Sequence, residues 1–386
     1  MAPISPASPA ADAAFAQLRA RVAQLIANAR CDHALGVTAY TPAAFGEAYP
    51  ALYLRDFTYM AEAAPEFIPL DHVRAIIALL VARLSPEGLC PERIGPAGEV
   101  IYVCHGGRPA ADSPMFLAKL CGAYARHGGD LRFLEEIFPA VRRALATVPT
   151  EPATGLVWID PGAPHTAYGF TDTIAITGRH AFCSLLLLES WEILAALAAQ
   201  LGRVADTDAC ARQAGLLRGS LDLLWSPAHG LLLAGSHDCC QADIWASAYA
   251  CVIGAFSLAR RQEIGRTLLA QRDRFLRRGQ VRHLRLPEFW QRRIVEADWT
   301  APGQFQNGAY WGTATGWVAE AFEAVEPGRG HALLGELAAD FAAHGVWECI
   351  GDDDSGRVAG NVSSACLPYA SWQRLRANGR LGTDLF

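Results

Sequence analysis

Lysine is almost missing: Lys119 is the only one in 386 residues. A Walker-type phosphate loop and a lysine Schiff base each depend on a placed lysine, so both chemistries lose their footing. Basic runs with interleaved aromatics are also lacking, and a formal net charge of −6 gives no general attraction to a phosphate backbone, so no nucleic-acid partner is expected. No apolar run approaches the roughly 18 residues needed to cross a bilayer, and the stretch 75–82 falls far short, so no membrane span is expected. The first 15 residues are rich in Ala, Pro and Ser, without a basic start or a continuous apolar segment, and do not read as a secretory leader. The 11 cysteines are odd in number, scattered and free of any CxxC pair, which suggests neither a disulfide framework nor a zinc ribbon. A reduced, cytoplasmic setting is the expectation. GxSxG, HExxH and GxGxxG are all absent, and nothing calls for a cofactor or a metal. Histidines such as His105 and His165 stand isolated.

What is present is apolar and helical. Hydrophobic residues make up 52% and charged ones 19%, ample for a large core. Phe15, Leu18, Val22 and Leu25 recur at helical spacing, as do Val73, Ile76, Ile77, Leu80 and Leu84. Similar patterns at 57–65, 113–127, 130–148, 179–201, 204–224, 242–257, 260–272, 311–325, 329–344 and 362–376 bring the helices to twelve. Gly128-Gly129, Gly202 and Pro327-Gly328 punctuate neighbouring segments as hairpin turns. The long irregular stretches 86–112, 149–178, 225–241, 273–310 and 346–361 hold much of the Gly, Pro, Trp, Asp and His, and function concentrates in such loops. Without a repeat of fixed period, twelve helices with loops of unequal length suit a closed ring better than a solenoid. The expected architecture is all-α, an (α/α)6 toroid, with 1–10 a flexible N-terminal segment and 11–386 one catalytic domain. Oligomeric state is not legible.

Four clusters mix acids, amides and aromatics: 53–59, 155–172, 241–245 and 304–311, the last followed by Val346-Trp-Glu348. A pyranose offers apolar faces that stack on aromatic rings and hydroxyls that take Asp, Asn, Gln and Arg as partners. A small-molecule sugar or oligosaccharide is therefore the expected ligand. Trp158, Trp245, Trp311 and Trp347 are candidate platforms, although each can equally be core. Glycosidic cleavage needs one protonated and one ionised carboxyl. Asp172, between aromatic and glycine residues at a helix entrance, can be such an acid or only a helix cap. Glu348, after Val346-Trp347 and before the turn-like 351–356, is placed for the base or is a surface glutamate. Asp160, Asp243 and Asp56 are reserves. Arg55-Asp56 can clamp sugar hydroxyls or tie loop to helix as an internal ion pair. Asp352-Asp353-Asp354 lacks the ligand spacing of an EF-hand and reads as a solvated turn.

At these clusters the chain resembles the six-hairpin glycosidase superfamily, with its trehalase-like, processing α-glucosidase-like and glucoamylase-like members, over residues 50–375. Tyr53-Leu-Arg-Asp-Phe57 is similar to the early Arg-Asp pair that meets substrate there. Gln306-Asn-Gly-Ala-Tyr-Trp311 running into Gly316-Trp-Val-Ala-Glu320 is the most specific match and adds Gln306 and Asn307 to the substrate-binding candidates. The resemblance implies Asp172 as general acid and Glu348 as general base of an inverting glycosidase, and a closed helical barrel with long loops makes a pocket, which suits a terminal sugar. The acid-bearing loop departs from the family, reading GFTDT where trehalase-like and processing-glucosidase-like members have GWD or GMD. The alternatives are an epimerase or isomerase using histidines, a phosphorylase, or a barrel that only binds carbohydrate.

Overall fold

The computed structural model describes residues 9–44 and 48–378. Twelve α-helices run through them: α1 (Pro9–Ala29), α2 (Leu54–Ala63), α3 (Leu70–Ala82), α4 (Ser113–Arg126), α5 (Leu131–Leu145), α6 (Ala181–Gln200), α7 (Val204–Ser220), α8 (Ile244–Val252), α9 (Leu258–Ala270), α10 (Thr315–Glu323), α11 (Arg329–His344) and α12 (Ser363–Asn378). Most of the segment expected to be flexible, 1–8, and the C-terminal 379–386 lie outside the described residues; α1 already begins at Pro9.

The even-numbered helices close a ring, α2 packing on α4, α4 on α6, α6 on α8, α8 on α10, α10 on α12, and α12 back on α2. The odd-numbered helices form the outer layer, α5 on α3 and α4, α7 on α6, α9 on α8 and α10, and α11 on α1, α10 and α12. This is the (α/α)6 toroid, and the side chains explain which helix goes where. α6 carries the run Ala181–Ser190, buried all round, as a helix surrounded by other helices requires. α5 instead buries one stripe, Phe133, Leu134, Phe138, Val141 and Leu145, and leaves Arg132, Glu135, Glu136, Arg142 and Arg143 exposed. Asp130 caps it, its carboxylate accepting from the Arg132 amide at 2.9 Å.

Connection length decides where a site can form. Links from inner to outer helices are tight turns, with the left-handed Gly128, Gly202 and Gly328 among them. All the links from outer to inner helices are long (30–53, 83–112, 146–180, 221–243, 271–314 and 345–362). In an up-and-down ring these lie together at the rim where the inner helices start. They also carry short antiparallel pairings that helical periodicity does not signal, such as Trp347–Ile350 with Gly356–Ala359 and Leu52–Tyr53 with Arg93–Ile94.

Deeper along the ring, each inner helix contributes a polar side chain to a network that is buried at Lys119, Glu189, Tyr249 and Glu320 and partly exposed at Glu62 and Arg374. Lys119 Nζ lies 2.6 Å from Glu189 and 3.3 Å from Glu62, and Arg374 lies 2.6 Å from Glu320. The chain's single lysine is thus spent on the barrel axis.

Candidate active site

Five of the six long links and the first turn of α2 line one cavity of about 370 Å³ at the loop-bearing rim. Six of the residues expected from sequence meet there: Arg55, Asp56, Asp172, Gln306, Trp311 and Glu348. Asp172 and Glu348 come from links far apart in the chain, yet each is held in the same manner. Gln306 Nε2 donates to Asp172 Oδ1 at 2.8 Å, while Gln306 Oε1 accepts from the Thr173 amide and hydroxyl at 2.9 and 2.7 Å. The Gln306 amide is thereby locked in orientation, and Asp172 with it. On the other side the Tyr49 hydroxyl donates to Glu348 Oε1 at 2.7 Å, and Ser364 Oγ donates to the Glu348 carbonyl at 3.1 Å.

Burial raises both acids. Asp172 is pushed above the ordinary aspartate range, with His105 and Gln306 opposing. Glu348, 5% exposed, is pushed up to about 8 by burial, against the Tyr49 hydrogen bond and Arg357. Cys104 Sγ approaches Asp172 Oδ2 at 3.5 Å and His105 Nε2 approaches it at 3.9 Å. These three donor atoms lie within 4.8 Å of one another and are the one group among the described residues with metal-ligand character.

Arg55 forms an internal ion pair and also lines the cavity. Its Nε donates to Asp112 at 2.7 Å and its Nη2 stands 3.7 Å from Glu92, yet the guanidinium reaches the cavity wall. Asp112 also accepts from the Gly169 amide at 3.0 Å, so one carboxylate ties the arginine to the loop that carries Asp172. Gly169 permits this approach: a Cβ there would sit 1.7 Å from Arg55 Cζ. Asp56, buried beside it, accepts from Ser363 Oγ at 3.2 Å.

The other six expected residues lie outside the cavity lining, Trp347 among them, its indole N–H donating to the His344 carbonyl at 3.0 Å. Trp245 is fully buried in the barrel core, stacked on His283 with centroids 3.8 Å apart, because α8 is an inner helix. Asp243 caps α8, accepting from the Ala246 amide at 3.1 Å. Asn307 braces its own loop, accepting from the Trp290 amide at 2.7 Å and donating to the Thr300 carbonyl at 3.2 Å. Trp158 is 37% exposed on a short pairing with Arg179, and Asp160 accepts from the Gly162 amide in a surface turn. Asp354, in the acidic run, pairs with Arg277 at 2.9 Å as a surface turn does.

Asp243 yields a prediction of its own. Burial raises its pKa from 3.8 to about 7, so it binds a proton more tightly folded than unfolded, and the fold loses stability as pH rises through that window. Asp243→Asn keeps the cap acceptor and removes the ionisation. The variant should match the parent in unfolding free energy from urea titration at pH 4 and exceed it at pH 8 by roughly 4 kcal/mol; equal free energies at both pH values would contradict the reading.

Sequence reasoning missed Tyr49, Glu92, Arg93, Cys104, Trp299, Phe305, Arg357 and Asn361, and passed over His105 as isolated. The link 30–53, not recognised as long, carries Tyr49 and Tyr53. Proximity of His105 to Asp172 spans 67 positions of chain and leaves no local mark.

No family model and no curated protein matches the chain. Solved structures do resemble it across nearly its full length. An uncharacterized conserved protein from Thermus thermophilus is 15% identical at a TM-score of 0.68, with 92% of this chain and 100% of that one covered. A GH63 mannosylglycerate hydrolase from the same organism, in complex with glucose, is 16% identical at 0.67 with the same coverage. A rhamnosidase from Klebsiella oxytoca with rhamnose bound is 15% identical at 0.67, covering 98% of this chain and 66% of that chain. The protein has the (α/α)6-barrel fold of these structures, two of which are glycoside hydrolases.

Proposed function

We propose that the protein is a glycoside hydrolase that releases a terminal sugar with inversion, Asp172 serving as general acid and Glu348 as general base. The observation that carries this reading is the paired construction: two carboxyls raised by burial line one cavity, each with one oxygen tied to a neutral donor, while the other lies beside Cys104 and His105 in Asp172 and 3.8 Å from Arg357 in Glu348. The reaction needs one proton between the two groups. Arg55 and Asp56 supply hydroxyl partners, and Trp299 and Phe305 an apolar wall. Fold relatives that include a mannosylglycerate hydrolase and a rhamnosidase support the same chemistry. Of the histidines, His105 alone lines the cavity among the described residues, which favours hydrolysis over a histidine-based epimerisation.

The test is a screen of α- and β-glucosides, mannosides and rhamnosides, with the anomer of the released sugar followed by proton NMR. Inverted anomer as first product is expected; retained anomer, or no turnover of any glycoside, would overturn the proposal. The pH dependence follows from the pair acting as one unit. Above about pH 8 the pair holds no proton, Asp172 has none to give the leaving oxygen, and kcat/KM falls. On the acid side it falls as a second proton binds, at a pH above the ordinary aspartate range because Asp172 is raised. A flat profile from pH 4 to 9 would contradict the coupling.

A further inference from the structure

The two strands of the last hairpin leave a donor and an acceptor facing each other. Glu348 Oε1 is occupied by Tyr49, whereas Glu348 Oε2 is buried without a hydrogen-bond partner among the described residues. Arg357 Nε is buried in the same condition, 3.8 Å away. That separation is too long for a direct hydrogen bond and suits one water bonded to both atoms at about 2.8–2.9 Å each. The rest of the arginine is anchored: its guanidinium carbon lies 4.1 Å from the Phe305 ring centroid and 5.0 Å from that of Trp299. The backbone here is strained, Phe305 having φ 40° and Val358, next to Arg357, φ 49°, a left-handed value that a β-branched residue rarely adopts. Strain of this kind persists where surrounding structure enforces it, and it clusters at functional sites.

We infer that Arg357 is a positioning residue that holds the attacking water against Glu348, an inference that rests on the hydrolase reading above. The Arg357 Nε–H donates to the water oxygen, and Glu348 Oε2 accepts one of its protons. A lone pair of that oxygen is then directed at the anomeric carbon. As the new C–O bond forms, the water proton passes to Glu348. The glycosidic C–O bond breaks, its electron pair stays on the leaving oxygen, and Asp172 supplies that oxygen's proton. Tyr49 fixes one oxygen of the base and Arg357 fixes what the other oxygen acts on.

The experiment uses the full chain with a panel of α- and β-glucosyl, mannosyl and rhamnosyl fluorides, reading fluoride release, so that protonation of the leaving group contributes little. Arg357→Met should lower kcat about a hundredfold, the scale of losing placement of a reacting group, with KM changed only a few-fold. Its acid limb should move to higher pH, because the arginine charge lowers the Glu348 pKa and the base acts only when ionised. Arg357→Lys, which keeps charge at a partly exposed position, should leave that limb in place and still lose kcat. Unchanged kcat with a raised KM in both variants would make Arg357 a substrate contact and overturn the inference. No fluoride release by the parent from any member would overturn the hydrolase reading and this inference with it.

Discussion

Asp172→Asn should lower kcat on ordinary alkyl or sugar glycosides by about a thousandfold or more, yet retain much of the parent rate on the matching glycosyl fluoride. Glu348→Gln should lose both. The asymmetry follows from the roles: fluoride departs with little help from an acid, whereas water needs its base whichever group leaves. Both substitutions are nearly isosteric and keep their anchoring hydrogen bonds, since Asn still accepts from Gln306 and Gln still accepts from Tyr49. Loss of rate therefore reports lost proton transfer and not a displaced loop. Steady-state rates on one glycoside and one fluoride of the same sugar decide the matter. Either variant staying within tenfold of the parent on both substrates would remove that residue from the pair, and a reversed pattern would exchange the roles.

The second large effect concerns stability. Lys119→Met should cost about 3–5 kcal/mol, because it removes the cation between Glu62 and Glu189 and leaves Glu189 with no ion-pair partner among the described residues, Glu62 keeping Arg126 at 3.3 Å. Lys119 is 3% exposed, so solvent does little to replace it. Burial already raises the Glu62 pKa against the lowering influence of Lys119, and without that influence the acid should take up a proton more readily. The defect should accordingly shrink as pH falls toward 5. Urea midpoints of parent and variant at pH 5 and 8 measure both statements. A loss below about 1 kcal/mol at pH 8, in the range of exposed pairs, would mean that the network contributes packing alone.

The elements of this protein were readable for a local reason. Helical spacing in Val73, Ile76, Ile77 and Leu80 marks a buried stripe of α3 whatever that stripe packs against. The unbroken apolar run in α6 marks an inner helix in the same way. Trp245 shows where this kind of reading stops. Its acidic neighbour Asp243 made it look like a sugar platform, but the aspartate caps the helix and the indole points into the core. Residue type next to residue type cannot separate a cap from a catalytic acid, because a cap and an acid both need a carboxylate at a helix entrance.

By itself the sequence determined twelve helices, their grouping into hairpins and the concentration of polar and aromatic residues in long links, because periodicity and turn chemistry act over a few residues. It also marked Asp172, Gln306 and Glu348 as candidates. Only the tertiary structure decided which candidates share a cavity. Ring closure between α12 and α2 brings Tyr49 to Glu348 across 299 positions, and the link before α10 brings Gln306 to Asp172 across 134. Burial and hydrogen bonding that raise two carboxyls together belong to that closure, since they depend on atoms contributed by separate links and not on the neighbours of either acid in the chain.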